Sequence, residues 1–436
     1  MSNNLIQISD NSKKDTYEPQ QLEELRALAG VPIKNIQLEG NPNLLVFPQS
    51  LSECKDRIQD SPIFTMEGDH VLVTNNIMGF VGYKNTRLRI HSRFANDDRD
   101  FFLHYMLQKV FSVNLFDLNY TSDQTNIFDF LIYLFPEYLK RAYKQGLYKE
   151  YQTHNYNDNN IKGRIDIARH IRQNMPFTGR VAYQTREYTY NNDLTQLVRH
   201  TIEYIRRHQF AGGILQNDSD TKDAVKVIEQ ATPTYNRQER TKIINSNLRP
   251  IHHPYYSEYR NLQKLCLQIL RHDELKYGNK DDEIYGILFD GAWLWEEYLN
   301  TLLNPIGFKH PRNKESKGAI YLFMNNSAPR YPDFYKSDFI LDAKYKGYTD
   351  KRVSEVDRDD LHQLIAYMYI ELASRGGLVY PCILSEISTQ QASLRGHSGS
   401  ITLYGMHIPQ SNTGWSEFIV QIKQSEENLV KQIASQ

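Results

Sequence analysis

The segment RYPDFYKSDFILDAKY, residues 330–345, constrains the fold of this chain more than any other. Two strand-like runs flank a polar step at Tyr335–Asp338, the pattern of a tight β-hairpin. Side chains alternate faces along a strand, so Asp342 and Lys344, two apart, point the same way. Leu341, Ala343 and Tyr345 then point to the opposite, packed face. Asp333 falls on the partner strand, where it can converge on the same spot. Two carboxylates and one ammonium are thereby expected to meet at the end of a sheet. A lone D-x-K triplet is common and means little; this one ends the apolar run FIL, follows Pro332–Asp333 closely and lies between two suitable helices.

Carboxylates that converge beside a cation suit metal-assisted cleavage of a phosphodiester. They can hold Mg²⁺ against the scissile phosphate, and the ammonium can act near the attacking water or the developing charge. Asp333, Asp342 and Lys344 therefore read as the catalytic hairpin of a PD-(D/E)xK-type nuclease. The preceding helix, DGAWLWEEYLNTLL (290–303), carries Trp295, Tyr298, Leu299 and Leu302 as its core stripe. At about 100° per residue, Glu296 lies on the edge of that stripe and Glu297 on the solvated side, so Glu296 is the candidate third acid and metal ligand. The following helix, DDLHQLIAYMYIELASR (359–375), places Gln363 and Tyr367 on one face. Leu361, Leu364, Ile365 and Met368 supply its apolar contacts, and Gln363 could orient water or phosphate. His252 and His253 are adjacent and point apart on a regular element. HExxH, GxSxG and GxxxxGK[ST] motifs are absent, so the chain has no Walker-type nucleotide site of its own.

Charge fits this reading only with help. Lys and Arg number 51 against 52 Asp and Glu, a formal net charge of −1. A chain that grips long DNA unaided usually carries a basic excess, because phosphate contacts dominate affinity. Aromatic residues are abundant, with 30 Tyr and 19 Phe; packing explains them better than base stacking, which needs interleaved basic residues. Cys54, Cys266 and Cys382 are far apart and read as reduced structural thiols. The polar start MSNNLIQISDNSKKD has no apolar core of a signal peptide, and no run of about 18 apolar residues occurs, so a cytoplasmic protein without a membrane span is expected.

Along its 436 residues the chain reads as α+β and multidomain. Residues 1 to about 20 are polar and expected to fray. Short strand-like runs, LLVFP (44–48), HVLVT (70–74), GFVGY (79–83) and RLRIHSRF (87–94), define a β-rich N-terminal domain over 1–99. A mixed helical and β region follows over 100–250. In it NIFDFLIYLFPEYLKRAYKQGLY is helical but interrupted by Pro136, residues 148–192 have strand character, and DLTQLVRHTIEYIRRH is an amphipathic helix with Leu194, Leu197, Val198, Thr201 and Ile205 on one stripe. Residues 251–436 form the expected nuclease domain, a mixed sheet flanked by helices.

The order of a WEEYL helix, PDF…ILDAKYK, DLHQLIAYM and a VYPCI strand at 379–383 resembles the nuclease domain of the McrC family, the endonuclease subunit of McrBC-type 5-methylcytosine-specific restriction systems. IKGRIDIARHIR (161–172) followed by REYTYNNDLTQLVRHTI (186–202) is a second match, and together the matches span roughly 125–436. The resemblance implies a Mg²⁺-dependent DNA endonuclease of phage defence. It also implies an McrB-like hexameric AAA+ GTPase as partner, which binds the GTP, holds the modified DNA and is stimulated by this chain; that would account for the near-neutral charge. Asp333, Asp342 and Lys344 match the family's D…DxK, whereas the position of Glu296 does not uniformly carry an acid in the family. Gly163 and Arg164 sit in the family's GRI element, where a tight backbone turn would explain the Gly. Two other readings stay open: an adaptor and activator of an AAA+ ring with a secondary or unused nuclease site, and a partner-independent nuclease.

Overall fold

A computed structural model describes residues 4–14, 17–38, 44–48, 58–68, 70–84, 86–95, 100–111, 126–208, 212–216, 218–277, 284–311, 318–348, 351–385, 389–395, 399–410 and 414–435. The chain divides into two compact units: residues 1–114 with 280–436, and residues 115–279. The partition therefore differs from the three consecutive segments read from the sequence.

The N-terminal elements of the first unit are β1 (Asn4–Ser9), β2 (Lys13–Lys14), α1 (Pro19–Leu22), α2 (Ile33–Leu38), β3 (Leu44–Phe47), β4 (Phe64–Glu67), β5 (Val71–Thr74), β6 (Ile77–Tyr83), β7 (Thr86–His91) and α3 (Phe101–Phe111). The expected strands are present. Residues 4–9, however, are not frayed: β1 pairs in parallel with β7 from Asn4↔Thr86 to Ser9↔His91. Ile6 and Ile8, two apart, are buried in the core with Leu72, Leu88 and Ile90. Alternation outweighs the polarity of the neighbouring residues, because only the inward face must be apolar.

The second unit comprises α4 (Asn126–Lys144), β8 (Glu150–Asp158), β9 (Arg164–Ile165), α5 (Ile167–Gln173), β10 (Val181–Thr189), α6 (Asp193–Arg207), α7 (Ser219–Ala231), α8 (Arg240–Ser246) and α9 (Ser257–Tyr277). Helix α4 runs unbroken through Pro136, contrary to the interruption expected there. Leu134, Phe135 and Leu139 are all buried on either side of the proline, and continued burial of that face outweighs one missing backbone hydrogen bond. The expected stripe of α6 is buried throughout, and the Asn192 side chain caps the helix by accepting the Thr195 N–H at 3.0 Å. Strands β8 and β10 form a long antiparallel pair, with β9 along the other side of β10. Gly163, at the entry to β9, does not mark a left-handed turn. A Cβ there would lie 2.1 Å from the Gln184 carbonyl oxygen, so close approach of two backbones demands the glycine.

The chain then returns to the first unit with β11 (Tyr285–Asp290), α10 (Gly291–Leu303), β12 (Ile320–Tyr321), β13 (Pro329–Arg330), β14 (Phe334–Lys336), β15 (Phe339–Ala343), α11 (Arg358–Glu371), β16 (Arg375–Cys382), β17 (Gln390–Ser393), β18 (Ser400–His407) and α12 (Trp415–Ala434). Strand β11 is inserted into the N-terminal sheet, whose order is β1-β7-β6-β11-β3. It lies antiparallel to β6 and parallel to β3. The second five-stranded sheet, β14-β15-β16-β18-β17, is mixed: β15, β16 and β18 are parallel, and both edge strands are antiparallel to their neighbours. On one face Ile340, Leu378, Ile401 and Leu403 pack with Leu364 and Met368 of α11. On the other, the Trp295 indole of α10 donates to the Val379 carbonyl at 3.2 Å. The Tyr298 hydroxyl donates to Glu426 of α12 at 2.8 Å.

The overall class is thus α+β, with a mixed sheet covered by helices on both faces. Cys266 and Cys382 are buried thiols; Cys54 lies outside the described residues. Among the described residues no helix is long and apolar enough to cross a membrane.

Candidate active site

The hairpin expected from the sequence is present: Phe334 pairs with Leu341, Tyr335 with Ile340 and Lys336 with Phe339. Ser337 takes the left-handed conformation at the turn, with φ 49°. Asp338 ties the turn to the start of β16 by accepting the Ser374 N–H at 2.5 Å and the Ser374 hydroxyl at 2.6 Å. Continuing the ladder one step sets Asp333 against Asp342. There the Asp333 carboxylate accepts the Ala343 N–H at 2.7 Å. Lys344 follows β15, and its N–H bonds to the Val379 carbonyl at 2.9 Å, so the D-x-K triplet is fixed between hairpin and β16.

The five residues singled out from the sequence do not all meet in the same way. Lys344 Nζ lies 2.7 Å from Asp342 Oδ2 and donates to Gln363 Oε1 at 3.1 Å. Gln363 in turn donates to the Tyr367 hydroxyl at 2.8 Å, so the shared helix face gathers at the hairpin. Glu296 approaches through His310: Nε2 of the imidazole lies 3.7 Å from Glu296 and 3.8 Å from Glu297. Glu297 therefore faces the same imidazole as Glu296, rather than the solvated side expected for it. Ile365 also differs from expectation: it is exposed, and Tyr367 is buried in its stead.

Three contributors were not read from the sequence. His310 Nδ1–H donates to the Asp333 carbonyl at 2.8 Å, and its ring stacks on Phe334 with centroids 5.0 Å apart. Glu297 joins it as described. Asp360, in the first turn of α11, lies 3.4 Å from Lys344 Nζ; its place three residues before Gln363 is the one signal that could have suggested it.

Burial is the main electrostatic fact here. It pushes Asp333 well above the usual carboxylate range, and the charges of Asp342 and Glu296 add to that; Lys344 and the Ala343 N–H oppose it. Burial also raises Asp342, with the Lys344 ammonium opposing. For Lys344 burial disfavours the charge, but Asp342, Asp333 and Asp360 outweigh it and raise its pKa. His310 is likewise disfavoured as a cation by burial, yet Glu297, Glu296 and the Asp333 carbonyl bring it above its ordinary value. Burial lifts the Tyr367 hydroxyl to about 12, so it stays protonated at neutral pH.

Asp342 is fully buried; its Oδ2 lies 2.7 Å from the Lys344 ammonium, and its Oδ1 accepts from no N–H among the described residues. Its contact with Lys344 is an ion pair. Buried acceptors in this condition are costly, and a divalent cation shared with Asp333 would satisfy them. Among the described residues no group of three or more His, Cys, Asp or Glu side chains forms a complete ligand set. Two carboxylates suffice for Mg²⁺ when water and substrate phosphate fill the remaining positions.

Comparison with known proteins gives a family and a fold. The family model of the McrBC 5-methylcytosine restriction system component matches residues 72–381. No curated protein matches the chain. Among solved structures, a half-complex from a tetradecameric assembly of Thermococcus gammatolerans McrB AAA+ hexamers with bound McrC contains a similar chain. It is 15% identical with a TM-score of 0.52, and the match covers 99% of each chain. A chain in the cryo-EM structure of the Thermococcus gammatolerans McrBC complex is also 15% identical. That match covers 69% of this chain and 87% of the other, with a TM-score of 0.33.

Proposed function

Because the chain belongs to the McrBC 5-methylcytosine restriction system component family, we propose that it is the McrC-type nuclease subunit of a restriction complex and cuts DNA phosphodiesters at a PD-(D/E)xK site. The observation that carries this reading is the face-to-face placement of two carboxylates, half-buried Asp333 and fully buried Asp342, beside the ammonium of Lys344. Asp333 and Asp342 would hold Mg²⁺, with Glu296 near enough to act on Asp333 electrostatically. The ion, when bound, supplies Lewis acidity at the phosphate and lowers the pKa of water. The chain's own residues do the rest. Lys344, kept charged by its anionic neighbours, offers an ammonium to the charge that develops on the phosphate. Gln363, held by Tyr367, accepts from the Lys344 ammonium and orients it beside the carboxylates.

The partner in this reading is an McrB-like AAA+ hexamer, as in the similar solved complex; in this proposal it is a GTPase that binds the nucleotide and grips the modified DNA. A net charge of −1 supports such a division of labour. The deciding experiment uses the chain with an McrB-type AAA+ partner, modified DNA, GTP and Mg²⁺. Asp342→Asn should abolish cleavage while leaving stimulation of the partner's GTPase intact. Undiminished cutting would overturn the assignment.

A second role, as activator of the ring, is favoured by the second unit. Around α5, Ile167, Ile171, Met175 and Phe177 are exposed by 55 to 68%. Apolar side chains grouped so closely on a surface are characteristic of a protein interface.

A further inference from the structure

We propose that Asp360 is a positioning residue that holds the Lys344 ammonium in place when a divalent cation occupies Asp342. The inference rests on the nuclease reading above. Lys344 Nζ has two carboxylate neighbours, Asp342 Oδ2 at 2.7 Å and Asp360 Oδ1 at 3.4 Å, with Gln363 Oε1 at 3.1 Å. A cation on Asp342 competes for the oxygens that pair with Lys344 and repels the ammonium. Without a second anion, Lys344 would either keep the cation out or be driven from the site.

Asp360 is built for this purpose. Its carboxylate is buried and held by two partners: Oδ2 accepts from Lys346 Nζ at 2.7 Å and makes a short contact with the Tyr348 hydroxyl. Its other oxygen, Oδ1, is the one turned toward Lys344. Asp357 shares Lys346 at 3.1 Å and Tyr348 at 3.4 Å, so Lys346 does not depend on Asp360 alone. Although burial works against the charge, Lys346 and Tyr348 keep Asp360 ionised. Asp360 is thus an anion held by partners of its own, and the Lys344 side chain is the group that adjusts. Asp342 gives up its ion pair as the cation arrives, and Asp360 keeps the ammonium beside the phosphate.

The test measures Mn²⁺ binding to the full-length chain by electron paramagnetic resonance, in the wild type, Asp360→Asn, Lys344→Ala and the double variant. Asp360→Asn should weaken Mn²⁺ binding roughly five- to tenfold, within the coupling seen between residues in contact. In the Lys344→Ala background the same substitution should have no further effect, because Asp360 acts through Lys344. A loss that persists there would mean a direct charge effect or damage to the fold, and would overturn the proposal. So would wild-type affinity in Asp360→Asn. Failure of the nuclease reading itself has a separate signature, Mn²⁺ binding that is absent in the wild type or unchanged in Asp342→Asn.

Discussion

The carboxylate of Asp333 accepts the backbone N–H of Ala343 at 2.7 Å, at the one residue that separates Asp342 from Lys344. A side chain thereby takes the place of the next ladder hydrogen bond of the hairpin. Strand pairing and site assembly are the same contact, so the distance between the two carboxylates is set by sheet geometry rather than by a loop.

Holding half-buried Asp333 against fully buried Asp342 costs stability. Asp333 has a folded-state pKa raised above its unfolded value. Its contribution is therefore most favourable below the unfolded pKa and is lost as pH rises through the folded one. Asp333→Asn keeps an acceptor for the Ala343 N–H but removes the charge. Without divalent ions at pH 8 it should be more stable by about 1–3 kcal/mol, a rise in Tm of roughly 2–8 °C. The gain should shrink as pH falls toward 4, while cleavage is lost. A thermal melt across pH that shows no such convergence would exclude the raised pKa.

Lys344→Ala removes the ammonium and leaves Asp342 without its ion pair. Cleavage should fall by roughly 10² to 10³, the cost of losing one preorganised group that stabilises transition-state charge. DNA binding by the complex and GTPase stimulation should remain. Single-turnover cleavage beside a filter-binding assay separates the two.

In the second unit, Gly163→Ala would set a methyl group 2.1 Å from the Gln184 carbonyl oxygen. Both partners are backbone, so β9 must separate from β10, at a cost of about 1–3 kcal/mol. Faster hydrogen exchange at Arg164, Ile165 and Gln184 would register it, with the amides of α10 and β15 unchanged.

The exposed apolar side chains of α5 predict a functional rather than a structural effect. Ile171→Glu should leave the melting temperature within about 1 °C, as surface substitutions usually change stability by less than 0.5 kcal/mol. Stimulation of the partner's GTPase should drop at least tenfold. Full stimulation by this variant would remove α5 from the interface.

The sequence carried the local features well, and for a physical reason. The β14–β15 hairpin, the buried stripe of α10 and the shared face of Gln363 and Tyr367 follow from periods of 2 and 3.6, which any short window contains. His310 was invisible because nothing within a window links it to Asp333, 23 residues away. Glu297 was misjudged because an idealised helical wheel does not know that a histidine stands outside the helix. The ordered N-terminal strand escaped notice because Ile6 and Ile8 gain their burial from β7, some 80 residues on. Pro136 shows the reverse error: a strong local signal was overruled by burial on both sides.

Strand β11 fills the gap between β6 and β3. A growing chain that has reached only the second unit still has an open slot in its first sheet, with two strand edges lacking their neighbour. That slot closes only once residue 290 or so has emerged, and the next segments to follow carry the acidic hairpin. A product that stops early therefore lacks the acidic hairpin and also a finished first sheet. Completion of the first sheet and arrival of the acidic hairpin thus fall close together in synthesis.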